Sequence, residues 1–474
     1  MVSAALAAAM LSACAGGTPE TPSAVPTLPA TPHPVSTSAP TATLEVVLPQ
    51  GYPLSPQGPW LVYRTDEAVF IANPDGSGRR VLFDRPTFAR DLEDLIAPTR
   101  SLLALYAFDD PEIRSGLRLS ILRLPLGVEV FSTPLLSVDI QSALAEGSSP
   151  AVEAVTAVAL DGSAAWSPSG QQLAFVAALD APSSDLYLYD SVTDRSSRVS
   201  RGPNQIASLS WSPDGTWIAH QAVETFGSGA GWEVGAVWTI SPDGQTLHRL
   251  YAPESSGEVF VGWSSGGSLV SYSSTPEGLR DLRAAGADGA VQNILVPDIF
   301  SDAAYDPVSG TAAYAVSESS GPGAEPGAYL WSPLRQDPLQ VDARPWTSVE
   351  WAPGAGAFLL EGPSAILLVT PEGESHEITE SGRAAASPDG RYLAVWSDGS
   401  LGGDAGIRLY TTDLRFVVEL EDVPIDLAAW RPDSAGLMGV GDAGLIYYPV
   451  DGHPLAVDSA ATPESGTKLG WVWP

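Results

Sequence analysis

The sequence repeats itself from about residue 50 to its end, with a period of about 40 residues. The clearest copies begin at Trp166, Trp211 and Ala386, and they read Trp-Ser-Pro-Ser-Gly, Trp-Ser-Pro-Asp-Gly and Ala-Ser-Pro-Asp-Gly. A unit of this length buries its apolar faces only against neighbouring copies. The repeat therefore constrains the fold more than any other feature of the chain.

Each copy contains the signals for four short strands. An apolar stretch ending in Trp predicts a first strand, and Ser-Pro-Asp-Gly is turn chemistry: Pro presets φ, Asp bonds back to the backbone, and Gly supplies positive φ. The apolar residues after the turn predict a second strand, residues 185–190 (Asp-Leu-Tyr-Leu-Tyr-Asp) a third, and a further Gly-containing turn leads into a fourth. Four short strands without helical periodicity are typical of a propeller blade.

Nine segments can be interpreted as blades, although some copies are weak or degenerate. The weak copies begin at Trp263, Tyr305, Trp351 and Trp430, and the degenerate ones begin at Leu54 and Ile96. We therefore predict an all-β fold, a single β-propeller of eight or nine four-stranded blades, with room for one irregular segment.

The chain ends in residues 468–474, which look like the first strand of a blade with nothing after it. We expect this strand to complete the blade that residues 60–63 begin, because such pairing closes the ring and leaves no inner edge open.

These repeats resemble the WD40-like (PD40) repeats of TolB-type propellers. The resemblance is carried by Trp-Ser-Pro-Asp-Gly-x-x-Ile-Ala, by residues 71–78 (Ile-Ala-Asn-Pro-Asp-Gly-Ser-Gly) and by residues 239–244 (Thr-Ile-Ser-Pro-Asp-Gly). It covers essentially all of residues 50–474 and is specific for architecture, since propellers host many activities. It implies an envelope protein that binds protein partners.

The N-terminus predicts an exported lipoprotein. Residues 1–13 form a short apolar run typical of a signal peptide, and Leu-Ser-Ala-Cys at residues 11–14 resembles the bacterial lipobox, which makes Cys14 the lipidation site. Residues 14–43 are rich in Thr, Pro and Ser and predict a disordered tether. The propeller is predicted to span residues 44–474, held at the outer face of the cell membrane.

Composition excludes several classes of partner. The net charge is −33, from 56 acidic and 23 basic residues, and Lys468 is the sole lysine, so no basic patch is available for nucleic acid or anionic lipid. One cysteine allows no intrachain disulfide, and five scattered histidines encode no local zinc site. We predict no metal, no cofactor and a monomer.

The loops between second and third strands vary most in length, and a rigid scaffold that presents variable loops is a common way to build a binding site. Residues 141–157 add an insertion to a connection on the same face. The alternative is that these loops are merely solvated. The ligand-binding candidates in them are Asp109, Asp110, Phe226, Trp232, Glu233 and Asp404.

Two other motifs have a structural explanation. Gly262-Trp263-Ser264-Ser265-Gly266 matches a nucleophile elbow, but it falls where other copies have the blade turn. The tryptophans of the repeat are expected to pack between blades.

We therefore predict a non-enzymatic protein-binding or scaffold propeller. The alternative is an enzyme or sensor for glycan or peptide ligands, which should gather titratable groups with perturbed pKa values at the channel mouth.

Overall fold

The computed structural model describes most of the chain after residue 52, and the described residues all belong to one compact unit, Leu48–Pro474. Residues 1–43, which include the predicted signal peptide, Cys14 and the predicted tether, lie outside the described residues. The described ranges are 53–87, 91–110, 115–146, 158, 163–179, 184–200, 205–225, 232–251, 258–274, 280–290, 292–296, 302–316, 325–335, 337–397, 399, 405–421, 425–451, 453–463 and 467–472.

Within these ranges the chain forms nine antiparallel sheets, each a blade, so the predicted all-β propeller is confirmed with nine blades. Blade 1 contains β1 (Trp60–Arg64), β2 (Val69–Ala72), β3 (Arg80–Phe83) and β35 (Lys468–Val472). Blade 2 contains β4 (Leu102–Asp110), β5 (Ser115–Arg123) and β6 (Val128–Pro134). Blade 3 contains β7 (Ala164–Trp166), β8 (Gln172–Ala177), β9 (Asp185–Asp190) and β10 (Arg195–Arg198).

The remaining six blades use four consecutive strands each. Blades 4 and 5 contain β11 (Gln205–Trp211), β12 (Ile218–Thr225), β13 (Trp232–Ile240), β14 (Leu247–Tyr251), β15 (Glu258–Trp263), β16 (Ser268–Ser274), β17 (Arg280–Gly286) and β18 (Gln292–Val296). Blades 6 and 7 contain β19 (Asp302–Tyr305), β20 (Ala312–Val316), β21 (Gly327–Trp331), β22 (Leu339–Asp342), β23 (Ser348–Ala352), β24 (Ala357–Glu361), β25 (Ile366–Val369) and β26 (Ser375–Ile378). Blades 8 and 9 contain β27 (Arg383–Ala386), β28 (Tyr392–Ser397), β29 (Gly406–Thr411), β30 (Phe416–Glu421), β31 (Ile425–Trp430), β32 (Gly436–Gly441), β33 (Gly444–Pro449) and β34 (Leu455–Asp458).

The first strands of successive blades contact one another, as β7 does with β11, β11 with β15, β15 with β19 and β19 with β23. These strands therefore form the inner wall of a ring around a central channel. The second and third strands of a blade are largely buried, whereas the fourth strand is the outer, more exposed edge; β9 and β10 show the contrast.

The C-terminal strand closes the ring, as predicted. β35 pairs antiparallel with β1, with Leu61 opposite Trp471 and Arg64 opposite Lys468. It is the inner strand of blade 1, so the first blade is built from both ends of the described chain.

Blade 2 is the irregular blade, and it corresponds to the degenerate copy at Ile96. Instead of an inner strand it has the one-turn helix α1 (Leu92–Leu95) and two isolated bridges, Thr87 to Ala107 and Ile96 to Leu103. Leu92 and Leu95 are buried, and α1 contacts both β35 and β7, the inner strands on either side. The apolar pair at i and i+3 lets a helical turn fill the place of a strand.

Repeat tryptophans fasten several of the blades to the preceding one. The indole Nε1 of Trp211 donates to the carbonyl oxygen of Ala165 at 2.9 Å, and Trp430 donates to that of Ala385 at 2.8 Å. Trp166 makes the same bond to the carbonyl oxygen of Leu95 in α1 (2.9 Å). Packing between blades is confirmed for these residues, because buried indoles combine large apolar area with a hydrogen-bond donor.

The Ser-Pro-Asp-Gly turns form as the sequence predicts. In the turn after β11, Ser212 Oγ donates to Asp214 Oδ1 (2.6 Å), and that oxygen also accepts from the Thr216 amide (3.0 Å). The Gly215 amide donates to the Ser212 carbonyl oxygen at 2.9 Å, and its φ of 71° is in the region that favours glycine.

Candidate functional site at the channel mouth

The two ends of the ring differ because the strands of each blade alternate in direction. At one end of the ring each inner strand begins, and the hairpin between the second and third strands of each blade turns at the same end. We call this end the loop face. The Ser-Pro-Asp-Gly turns lie at the other end, which we call the turn face. The sequence-predicted candidates belong to the loop face, because they fall in the second-to-third hairpins.

The structure places four of these candidates in strands rather than in loops. Asp109 and Asp110 are the last residues of β4, and Trp232 and Glu233 are the first residues of β13. The predicted loops were too long, because the hairpin ladders continue to Asp110–Ser115 in blade 2 and to Thr225–Trp232 in blade 4. Asp109 lies 3.6 Å from the Arg118 guanidinium of the paired strand β5. Phe226 and Asp404 lie outside the described residues.

These hairpins make the loop face uneven. β4 and β5 have nine residues each, and β12 and β13 have eight and nine, whereas the corresponding strands of blades 1 and 7 have four or five. At about 3.3 Å per residue, the longer hairpins project beyond their neighbours. The predicted insertion begins within helix α2 (Val138–Ala145), between blades 2 and 3, and residues 147–157 of it lie outside the described residues.

The mouth of the channel on this face is lined by the first residues of the inner strands. At the junction of blades 1 and 2, Lys468 Nζ lies 2.9 Å from Asp91 Oδ1. Arg64, opposite Lys468 in the ladder, is buried. Burial lowers the pKa of the Arg64 guanidinium, and the negative charge of Asp91 acts in the opposite direction. At this point of the mouth Lys468 and the buried Arg64 therefore lie beside the carboxylate of Asp91, and the exposed Asp66 and Glu67 follow Arg64 in the hairpin of blade 1.

The arc across the channel, from blade 6 to blade 8, is mainly acidic. Asp302 begins β19, Glu350 lies in β23, and Glu361 ends β24. Glu361 Oε1 accepts from the Ala384 amide of blade 8 at 2.8 Å, and its Oε2 accepts from Ser348 Oγ at 3.4 Å. Asp302 Oδ2 of blade 6 accepts from the Val349 amide of blade 7 at 2.9 Å. Carboxylates thus connect blade 7 to both of its neighbours, Asp302 to blade 6 and Glu361 to blade 8.

Glu350 and Glu361 have perturbed pKa values with identifiable causes. Burial among protein atoms raises the pKa of Glu350, and the charge of Glu361 raises it further. Burial also raises the pKa of Glu361, against the opposing effects of the Ala384 amide and the Arg383 charge. The Glu350 side chain is nevertheless exposed at its surface and Glu361 is half-buried, so solvent screens part of the effect on Glu350. The pair can therefore hold or release protons nearer to neutral pH than ordinary carboxyl groups do.

Comparison with solved structures places this arrangement in a known fold. A structure described as that of the eukaryotic initiation factor matches with a TM-score of 0.52 and 12% identity, covering 85% of this chain and 96% of that one. TolB from Acinetobacter baumannii matches with a TM-score of 0.34 and 13% identity, over 67% and 63% of the two chains. Dipeptidyl peptidase 4 from Porphyromonas gingivalis matches with a TM-score of 0.47 and 11% identity, over 81% and 62%.

The protein is a nine-bladed β-propeller. At these identities the likeness shows the fold alone. No protein-family model matches the sequence, and no curated protein matches it either.

The pair formed by Glu350 and Glu361 was not predicted from the sequence, although the repeat contains a signal for Glu350. Glu350 directly precedes Trp351, which pairs with Phe358 as the other blade-end residues pair with their second strands. The other eight blades have a small or apolar residue at the position of Glu350. These residues are Leu95, Ala165, Ser210, Gly262, Ala304, Ala385, Ala429 and Gly470. A glutamate at a repeat position that is otherwise small or apolar is a departure from the repeat.

Among the residues that the structure describes, no group of three or more His, Cys, Asp or Glu side chains is arranged to hold a metal ion. No helix in the same residues is long and apolar enough to cross a membrane.

Proposed function

We propose that this propeller is a non-enzymatic, extracytoplasmic lipoprotein, anchored through Cys14, that binds a protein partner at the loop face. The fold and its neighbours support a protein-binding propeller in general terms. The anchor rests on the lipobox resemblance and on the Thr/Pro/Ser-rich residues after it.

The observation that carries the binding proposal is the charge arrangement of the channel mouth. Lys468 lies on one arc, beside the buried Arg64, and Asp302, Glu350 and Glu361 lie on the arc across from it. A surface with opposite charges on opposite sides orients a partner as well as attracting it, because the wrong orientation brings like charges together. The projecting hairpins of blades 2 and 4 add a wall on one side, which makes the face asymmetric.

Cross-linked affinity capture from envelopes of the source cells tests this proposal. The full-length protein is compared with a loop-face variant, Lys468→Gln with Glu350→Gln, and with a turn-face control, Arg391→Gln. Arg391 is exposed and follows the turn after β27, so its substitution changes charge by the same amount as Lys468→Gln without touching the mouth. We expect one partner to be captured by the wild type and the control and lost from the loop-face variant. Equal capture by all three proteins would contradict a loop-face site.

The anchor is tested separately. Cells that express the full chain are labelled with a palmitate analogue, and Cys14→Ser is the control. We expect label on the wild type alone. Label that persists on Cys14→Ser, or its absence from the wild type, would refute the anchor without bearing on the binding face.

A second candidate function is favoured by the Glu350–Glu361 pair. Carboxyl groups with raised pKa values at a channel mouth are suited to general acid–base chemistry on a glycan or peptide ligand. Screening glycans and peptides for turnover by the wild type and Glu350→Gln tests this candidate. Turnover that Glu350→Gln abolishes without lowering the melting temperature would favour the enzyme over the scaffold.

A further inference from the structure

The seam between blades 7 and 8 lacks the tryptophan that fastens several other seams. Its place at the end of β27 is taken by Ala386, which pairs with Leu393 as Trp211 pairs with Ile218 in blade 4. In the seam between blades 3 and 4, Trp211 contributes both a buried indole and a hydrogen bond to Ala165. An alanine contributes neither an indole nor this hydrogen bond.

Glu350 and Glu361 point into this same seam. Glu350 is opposite Leu359 in the ladder, and Leu359 and Ala357 pack in a cluster with Ala384 and Leu393 of blade 8. Glu361 is two residues beyond Leu359 and therefore lies on the same face of the sheet. Glu350 thus faces the one blade that has an alanine, Ala386, at the position of the repeat tryptophan.

Other charged groups also face the pair. From blade 8, Arg383 begins β27 and acts on Glu361, and from blade 6, Asp302 reaches the backbone of Val349. Farther out in the same seam, Glu380 accepts from the Tyr410 hydroxyl at 2.6 Å. Arg408 there bridges Glu380 (3.4 Å) and Glu419 (3.0 Å). Arg408 is thus shared between two carboxylates, and Arg383 is the cation that acts on the inner pair.

We propose that the seam between blades 7 and 8 is a pH-sensitive joint of the ring. It packs most tightly when Glu350 and Glu361 are protonated, and it loosens when both carboxylates ionise and repel each other. The ring then opens at this seam before it opens elsewhere.

The direction of the pH effect on the seam follows from the surroundings of Glu350 and Glu361. Burial raises both pKa values, so the closed seam binds protons more strongly than the open seam does. The contribution to stability is complete below the ordinary carboxyl range and is lost as the pH rises through the raised pKa values. The hydrogen bond from Ala384 and the charge of Arg383 reduce this effect without reversing it.

Thiol labelling measures the opening directly. Cys14 is the chain's single cysteine, so Cys14→Ser gives a background without thiols. Ala357→Cys places a probe in the seam between blades 7 and 8, where Ala357 is 2% exposed. Ala174→Cys is the matched control: Ala174 is fully buried and lies opposite Ala165, the acceptor of the Trp211 bond. Each labelling rate is divided by the rate for the unfolded chain at the same pH, which corrects for the ionisation of the thiol itself.

We expect protection of the Ala357→Cys thiol to fall severalfold between pH 5 and pH 8, while the Ala174→Cys thiol keeps its protection. Adding Glu350→Gln or Glu361→Gln should flatten the response of the first probe. A pH-independent first probe, or an unchanged response in both glutamine variants, would overturn the proposal. If a cysteine variant does not fold, melting temperatures of Glu350→Gln and wild type decide the matter: the variant should gain stability at pH 8 and none at pH 4.

Discussion

The Tyr63 hydroxyl donates a 2.7 Å hydrogen bond to Oδ2 of Asp458, a residue 395 positions later in the chain. The same carboxylate lies 2.8 Å from Arg79 Nη2, and Arg79 Nε donates to the Tyr63 hydroxyl at 2.6 Å. These three side chains join blade 9 to blade 1 on the outside of the β1–β35 ladder. Ring closure is therefore both a strand pairing and a buried polar contact between the first and last blades.

Removing the hydroxyl tests the polar part of this closure. Tyr63→Phe leaves the Asp458 carboxylate, whose side chain is 8% exposed, with Arg79 as its remaining charged partner in this contact. We expect a loss of about 1–3 kcal/mol in the free energy of unfolding, because a buried acceptor loses its donor. Urea denaturation measures it, with Tyr392→Phe on blade 8 as the control. An equal effect of the two substitutions would argue against a special role for Tyr63.

Deleting residues 468–474 tests the strand itself. The deletion removes the inner strand of blade 1 and exposes the edge of β1. We expect a lower melting temperature for the whole ring and a tendency to aggregate, because an unpaired apolar edge is a template for intermolecular pairing. Calorimetry and light scattering report the two effects, and an unchanged melting temperature would refute closure by β35.

The tryptophan contacts predict a large effect of a single truncation. Trp211→Ala removes an indole that is 7% exposed and its bond to Ala165. We expect a loss of about 3–5 kcal/mol, the usual range for truncating a buried aromatic residue. Val192→Ala, at a position that is 77% exposed, should change stability little. Chemical denaturation of the two variants under identical conditions provides the comparison.

Two glycines separate backbone strain from steric overlap. Gly390 has φ of 69°, and a β-carbon there would overlap the Gly354 carbonyl oxygen of the preceding blade. Gly267 has a similar φ of 77° but open space around it. We expect Gly267→Ala to cost about 1–2 kcal/mol from strain alone, and Gly390→Ala to cost clearly more. Equal losses of stability in thermal denaturation would show that the turn at Gly390 does not contact the turn at Gly354.

A salt-bridge network predicts a pH dependence opposite to that of the acidic pair. Arg344 lies 2.8 Å from both Asp342 and Glu377. Hydrogen bonds from Arg344 lower the pKa of Glu377; burial acts to raise the pKa of Asp342, but the bonds and charge of Arg344 hold it below its usual value. The stabilisation is present above the ordinary carboxyl pKa values and is lost as the pH falls through the lowered ones.

Arg344→Gln should therefore lower the melting temperature at pH 7, and this difference from wild type should shrink as the pH falls below the ordinary carboxyl range. Melting curves of wild type and variant across this range check the convergence. Arg415→Gln is the control, because Arg415 is 83% exposed and its pair with Asp413 should contribute little at any pH. A difference between wild type and Arg344→Gln that stays constant with pH would contradict the network.

Much of the fold could be predicted because its signals are local. Ser212, Asp214 and Gly215 form their turn through contacts within a few residues, and such contacts depend on the residue types themselves. The spacing of the turns predicted the strands and eight or nine blades, and the unpaired last strand predicted the closure at β1. The prediction allowed one irregular segment, and the structure shows that it is the degenerate copy at Ile96 rather than the one at Leu54.

The sequence by itself thus determined the repeat, the turns, the closing strand and the strongly acidic composition. Tertiary structure decided the rest. The helical turn α1 stands in for a strand because β35 and β7 cover Leu92 and Leu95 from both sides. Glu350 and Glu361 share a seam because ladder register and blade packing bring them together, and the pKa of each depends on atoms of a neighbouring blade. Contacts across a seam join residues without a fixed spacing in the chain, so a repeat pattern alone does not specify them.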